Sequence, residues 1–159
     1  MKKIILLSVL LTLIFISGCT NPAFGTGPVK PFSDIGHTAL FEKDTMVFTV
    51  SVNPCQVESR SQSHEITAFI NVKNTGKKSF SLVAYPRLTD SAGNEYPGSS
   101  VSMSLAPGGY KNGQSKITVA SDEAFKALQK SAVLSVRFQG GQPVPLEAAW
   151  MVDLNPIKP

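Results

Sequence analysis

The sequence predicts an all-β protein: an antiparallel β-sandwich with one short helix between its late strands, preceded by a signal peptide and a flexible tether. Three observations predict it. Apolar residues recur at every second position through most of the chain beyond residue 44, clusters of Gly, Pro, Asn and Asp interrupt that alternation, and only Ser121–Lys130 departs from it. The 159 residues suit one domain, able to bury about two-thirds of its unfolded surface without a metal or a disulfide network. With 42% hydrophobic and 16% charged residues, no repeats, no heptads and a single long apolar run, collagen, coiled coil and multi-span membrane protein are excluded.

The elements follow in chain order. Met1-Lys2-Lys3 precedes an apolar run from Ile4 to Ile16, broken only by Ser8 and Thr12, and then Ser17-Gly18-Cys19. A charged start, a short apolar segment and small residues make a secretory signal. The run is shorter than the roughly 20 residues a helix needs to cross a bilayer, so cleavage is expected rather than a permanent anchor. Ile16-Ser17-Gly18-Cys19 resembles the lipobox of prokaryotic lipoproteins. That resemblance implies cleavage between Gly18 and Cys19 and a covalent diacylglycerol on the Cys19 thiol. Two or more acyl chains, at about 0.8 kcal/mol per buried methylene, hold a protein stably at a membrane where one chain is marginal. Thr20 follows, and lipoproteins without Asp there resemble outer-membrane cargo. The expected location is therefore extracytoplasmic and lipid-anchored, on the outer membrane if the organism has one and otherwise on the outer face of the cell membrane. The alternative is an ordinary secretory signal that happens to contain Cys.

Removing residues 1–18 takes Lys2 and Lys3 away, so the 15 basic residues fall to 13 against 11 acidic ones. So small and scattered a charge gives no reason to expect nucleic-acid binding. Residues 19–43 are read as the lipidated Cys and a tether, because Thr20–Gly36 holds three Pro and three Gly with little periodicity. The alternative, a segment packed on the domain, draws on Phe24 and Phe32.

The sandwich domain is assigned to residues 44–155. Phe48, Val50 and Val52 alternate with Thr49 and Ser51; Ile66, Ala68, Ile70 and Val72 alternate with Thr67, Asn71 and Lys73, with Phe69 the exception. Phe80, Leu82 and Ala84, then Leu134, Val136 and Phe138, and finally Trp150, Val152 and Leu154 continue the pattern. Each run has one apolar and one wet face, as antiparallel sheets on one core require. Asn74-Thr75-Gly76, Asp90–Asn94, Ala106-Pro107-Gly108-Gly109 and Gly140-Gly141-Gln142-Pro143 supply positive-φ or fixed-φ residues for turns. Ser121 is the expected N-cap of a helix with Asp122 and Glu123 in its first turn and Lys126 and Lys130 later; Ala124, Phe125 and Leu128 share its apolar face. The last strand, near 146–154, is expected at a sheet edge.

These motifs carry a second resemblance. ITAFINVKNTGKKSFSL, RLTDSAGNEYPGSS, LAPGGYKNGQSKITV and LSVRFQG resemble the extracellular immunoglobulin-like domain of unknown function found in many bacterial and archaeal lipoproteins, in a superfamily that includes secreted mycobacterial antigens. The matching positions are Asn74 and Gly76; Asp90, Gly93 and Tyr96; Leu105, Pro107 and Gly108; and Gly113, within about 45–140. The resemblance implies an immunoglobulin-like fold and an envelope location, with no general activity to carry over.

Candidate chemistry is sparse. Once Cys19 is acylated, Cys55 is the one thiol left, so no intrachain disulfide forms. It is read as a small buried hydrophobe, against the alternative of a metal or small-ligand site with His64, and with His37 as a further ligand. No Cys-x-x-Cys or His-x-x-x-His spacing supports a metal. Asp90–Glu95 invites comparison with a calcium loop but lacks its alternating ligands, and a hairpin turn accounts for its Asp and Gly. No Ser lies in Gly-x-Ser-x-Gly or in a plausible Ser-x-x-Lys context, and the acids lie in turns and on wet faces. No catalytic residues are therefore assigned. Tyr85, Tyr96 and Tyr110 are available to an interface, Tyr85 pointing outward, while Trp150 is expected in the core. The expected role is a non-catalytic binding or structural module of the cell envelope. Its partners are membrane lipid through Cys19 and an envelope protein that the sequence does not name; no cofactor beyond the diacylglycerol is expected.

Overall fold

The computed structural model describes residues 38–43, 46–140 and 146–155. Cys19, the signal, His37 and the turn at 141–143 lie outside the described residues.

Alternation builds two antiparallel sheets with a shared interior. The first has the order β1 (Ala39–Lys43), β2 (Met46–Arg60), β3 (Ser63–Asn74), β7 (Tyr110–Val119). The second is centred on β4 (Phe80–Asp90), with β8 (Ala132–Gln139) on one side followed by β9 (Leu146–Val152) at the edge expected from the sequence. On its other side β4 pairs with β5 (Glu95–Pro97) near one end and with β6 (Val101–Leu105) near the other.

Two boundaries differ from the sequence reading. The tether was expected to reach residue 43, but Ala39–Lys43 is strand β1, paired with Val50–Met46 of β2. Ala39 and Phe41 are buried, and Phe41 stacks on Phe48 with ring centroids 5.1 Å apart. Two inward residues separated by one are enough to hold a short edge strand once a partner strand is present. Similarly, the strand read from Phe48, Val50 and Val52 does not end before Pro54: Pro54 and Cys55 sit inside β2, where the register with β3 shifts between Asn53 and Gln56. That irregularity accommodates a residue with no N–H to donate, and the strand resumes to Arg60.

The inward side chains form one core. Trp150, Phe48, Ile66, Ile70, Leu88, Ile117 and Leu134 are fully buried, so the placement of Trp150 agrees with the sequence expectation. Phe41, Phe48, Phe80 and Phe138 bridge the two sheets, with centroids of neighbouring rings 5.1 to 5.7 Å apart. Such side chains each contribute about 1.5–3 kcal/mol by leaving water.

Along one side the sheets are joined by backbone. In the gap between β5 and β6, Gly98 bridges Ile117 of β7, its N–H bonds to the Pro86 carbonyl at 2.9 Å, and the Ser99 N–H bonds to the Lys116 carbonyl at 3.0 Å. A side chain at residue 98 would begin 2.4 Å from Ser115 Oγ and 2.8 Å from Ile117 Cγ1, so only Gly lets the strands approach this closely.

The expected helix is α1 (Asp122–Lys130). Ser121 Oγ accepts from the Ala124 N–H at 3.2 Å, and Phe125 and Leu128 plug the end of the core between β7 and β8. No helix among the described residues is long and apolar enough to cross a membrane.

Turn chemistry follows the sequence with one exception. Gly108 (φ 71°) and Gly93 (φ 86°) adopt the left-handed conformation, and the Gly109 N–H closes a turn on the Ala106 carbonyl at 2.8 Å. Gly76 does not adopt it, because the buried Asn74 side chain makes that turn instead. Asn74 Oδ1 accepts from the Gly76 N–H at 2.9 Å, while Nδ2 donates to the Lys78 and Leu105 carbonyls at 2.9 and 3.2 Å. Replacing Asn74 by Ala removes three bonds, of which the one to the Leu105 carbonyl is buried while the Gly76 N–H keeps the Val47 carbonyl at 3.0 Å, and the expected loss is about 2 kcal/mol. Urea denaturation measures it; a loss near zero would show that the turn holds without the side chain.

Candidate ligand-binding face

The outward face of the first sheet is a regular array set by register. Across β2, β3 and β7 its rows read Thr49, Lys73, Tyr110; Ser51, Asn71, Asn112; Asn53, Phe69, Gln114; and Gln56, Thr67, Lys116. At its centre Asn71 is buried among its neighbours although it lies on the wet face. Its Oδ1 accepts from Tyr110 OH at 2.6 Å and from Asn112 Nδ2 at 2.8 Å, and its Nδ2 donates to Asn53 Oδ1 at 2.8 Å. These bonds fix three amides and one phenol across all three strands. Beside them lies a depression of about 370 Å³ lined by Asn53, Pro54, Gln56, Phe69, Asn112 and Gln114. Phe69 has Asn53 opposite it on β2 and Gln114 opposite it on β7. Lys116, in the next row, is bound to Glu65 at 2.6 Å, and this bond with the Lys116 charge lowers the Glu65 pKa against the opposing effect of desolvation.

The sequence did not single out this group, although one signal was visible. Phe69 breaks the alternation of β3 by putting an aromatic ring in the polar phase. The four amides that line the depression stand between 13 and 45 positions from Phe69 along the chain and meet only through register.

The opposite sheet presents charge. Arg87 bonds Ser135 Oγ at 2.9 Å, Glu147 at 3.0 Å and Glu95 at 3.1 Å, beside the exposed Tyr85. Tyr85 points outward as expected, and with Arg87, Glu95 and Arg137 it borders a hollow of about 500 Å³.

The residues weighed for metal binding are placed apart. His64 lies opposite Ser59 in the register, and its ring bonds Ser59 Oγ through Nδ1 at 2.9 Å and Asp122 Oδ1 through Nε2 at 2.8 Å. The ring also stacks on Phe125, centroids 4.0 Å apart, so both nitrogens and one face are engaged, Nδ1 by β2 and the rest by the helix. Cys55 is four residues from Ser59 along β2, roughly 13 Å in an extended strand. It is half-buried rather than buried as expected, because it borders a groove of about 590 Å³ with Val57, Phe125 and Leu154, and desolvation pushes its thiol pKa up to about 11. Among the described residues no three His, Cys, Asp or Glu side chains group to hold a metal.

The Asp90 loop is a self-contained turn. The carboxylate accepts from the Ala92 and Asn94 N–H groups at 2.9 and 3.0 Å, from Asn94 Nδ2 at 2.8 Å and from Tyr96 OH at 3.2 Å. The bond from the Asn94 side chain is the largest cause lowering the Asp90 pKa, with backbone and Tyr96 bonds adding to it against desolvation. The Tyr96 pKa is raised, by desolvation first and then by Asp90.

The fold has counterparts among solved structures. The chain is similar to a protein described as a β-galactosidase from Bacteroides fragilis, with TM-score 0.52 and 15% identity, over 66% of this chain and 16% of that one. It is also similar to an uncharacterised β-sandwich protein from Clostridium difficile, with TM-score 0.47 and 13% identity, over 82% of this chain and 99% of that one. The matched region is thus about a sixth of the longer protein, and the first likeness shows a shared fold alone. No protein-family model matches the chain, and no curated protein sequence does.

Two outcomes are expected. A lowered carboxylate pKa contributes stability above the ordinary value of 3.8, and the contribution is lost as pH falls through the lower folded-state value. Urea midpoints measured across acid pH should therefore fall below that value, and Asp90→Asn should reduce stability at neutral pH and flatten the acid limb; an unchanged limb contradicts the assignment. With Cys19 replaced by Ala, Cys55 is the single thiol, and at pH 8 its alkylation by iodoacetamide should be roughly hundredfold slower in the folded chain than in urea. Equal rates in both states would show an exposed, reactive thiol.

Proposed function

We propose that the chain is a lipid-anchored, extracytoplasmic lipoprotein whose immunoglobulin-like sandwich serves as a non-catalytic binding module of the cell envelope. The observation that carries the binding role is the Asn53–Asn71–Asn112 ladder with Tyr110, a polar network built across three strands on an outward face. Its bonds are made among side chains with no part in the apolar core, and a face ordered in this way has its binding geometry set in advance. Ile16-Ser17-Gly18-Cys19 supports the anchor, and Thr20–Gly36 supports a tether that lets the domain meet partners away from the membrane. Arg87, Glu95 and Glu147 are in ion pairs, and His64 is held by Ser59 and Asp122, which favours binding over a hydrolytic role for these groups.

Mass spectrometry of the chain extracted from membranes tests the anchor. It should begin at Cys19 and carry a thioether-linked diacylglyceryl group, whereas Cys19→Ala should carry no lipid and retain residues 1–18. A chain that begins elsewhere, or one with a free Cys19 thiol, would sink the proposal.

A further inference from the structure

The depression over Phe69 has a composition that selects among ligand classes. Four of its six lining residues, Asn53, Gln56, Asn112 and Gln114, are primary amides, and the other two, Phe69 and Pro54, are apolar rings. No ionisable side chain lines it. An amide offers two N–H donors and one carbonyl acceptor side by side, which matches the paired donor and acceptor character of neighbouring hydroxyls. An aromatic ring offers a flat apolar surface to a ligand that also has one. A ligand with ring C–H faces and a rim of uncharged hydroxyls satisfies both at once.

We infer that this depression binds an uncharged glycan, with one hexopyranose ring over Phe69 and its hydroxyls among the four amides. The inference rests on the reading of the chain as a binding module and names the ligand of that face.

The ladder supplies the orientation. Asn71 uses the Oδ1 of Asn53 and one Nδ2 hydrogen of Asn112. Among the described residues nothing bonds the Asn53 Nδ2 donors or the Asn112 Oδ1 acceptor, on β2 and β7 at either side of the depression, and these meet the ligand. Because Asn71 is itself buried and held by Tyr110 at 2.6 Å, these amides are ordered before binding, and less conformational entropy is lost when a ligand arrives. The volume of about 370 Å³ is near the lower end for small-molecule sites and suits one ring of a longer chain crossing an open sheet. Ser51 and Thr67, in the rows to either side, extend the hydroxyl and amide surface along the strands.

Charge argues against other ligands. An anionic polymer needs unpaired cations, and Lys116, in the same row as Gln56, is bound to Glu65 at 2.6 Å, while Lys73, the other cation in these rows, stands two rows from Phe69. The hollow on the opposite sheet carries Arg87 between Glu95 and Glu147, so it does not repeat the uncharged amide ring. An apolar peptide or acyl chain would leave four amides desolvated without partners.

Isothermal titration tests the inference, using the lipidated full chain in a sugar-free detergent with chitotetraose, cellotetraose and maltotetraose as neutral probes and polygalacturonate as the anionic one. At least one neutral tetrasaccharide should bind. Phe69→Ala and Gln114→Ala should each weaken that binding by roughly tenfold or more, while Tyr85→Ala, on the opposite sheet, should leave it unchanged. All three side chains point away from the core, and thermal unfolding of each variant verifies that its fold is kept. Asn71→Ala should weaken binding although Asn71 does not line the depression. Binding of no neutral probe, binding of polygalacturonate alone, or neutral binding indifferent to Phe69 each overturns the inference. The lipid on Cys19 is read separately by mass, so a chain that is lipidated yet binds no saccharide refutes the ligand and leaves the anchored module in place.

Discussion

Asn74 ties elements of both sheets together through hydrogen bonds made by one buried residue. Its backbone N–H bonds to the Gly109 carbonyl at 2.9 Å, its carbonyl accepts from the Gly108 N–H at 3.0 Å, and its side chain reaches Gly76, Lys78 and Leu105. One fully buried residue therefore joins the end of β3, the loop leading to β4, the last residue of β6 and the turn into β7. Those elements belong to both sheets. Buried amides with every group satisfied stabilise and specify, because each alternative arrangement leaves a donor or acceptor dry. The spacing and register of the sheets at this end of the sandwich depend on that node.

Two other constraints complete the frame. At the opposite end α1 closes the core with Phe125 and Leu128, and the His64 ring is held between Ser59 and Asp122 while stacking on Phe125. Along one side Gly98 lets the backbone of the second sheet meet β7, and Ser115 Oγ adds a bond of 2.7 Å to the Ser99 carbonyl. With both ends and one side fixed, β2, β3 and β7 have a set register, and their outward side chains a set arrangement. The amide ladder is a consequence of that register. A slip of one residue in β3 would turn Phe69 and Asn71 into the core and put Ile70 in the solvent.

How well each part could be read from the chain depended on how local its cause was. The alternation of Ile66, Ala68, Ile70 and Val72 follows from a strand's period of two and needs no partner to be recognised. Ser121 and the acids after it mark a helix start because capping acts within three residues. Asp90, Gly93 and Asn94 mark a turn for the same reason. Strand β1 was missed because Ala39 and Phe41 give only one alternation, and their burial comes from β2 and from Phe138 of the other sheet. The run through Pro54 was missed because a register shift depends on both strands of a pair.

The sequence by itself determined the class of fold, the short helix, the turns at Asp90 and Pro107 and the inward placement of Trp150, since each follows from side-chain period or backbone geometry within a few residues. Only the tertiary structure decided which strands are neighbours, that Cys55 and His64 stand apart, that Asn74 is a buried node, and that Asn53, Phe69, Asn71, Asn112 and Gln114 share one face. Those facts depend on pairing between residues distant in the chain. Pairing is selected by the packing of the whole core, a cooperative property that no single segment carries.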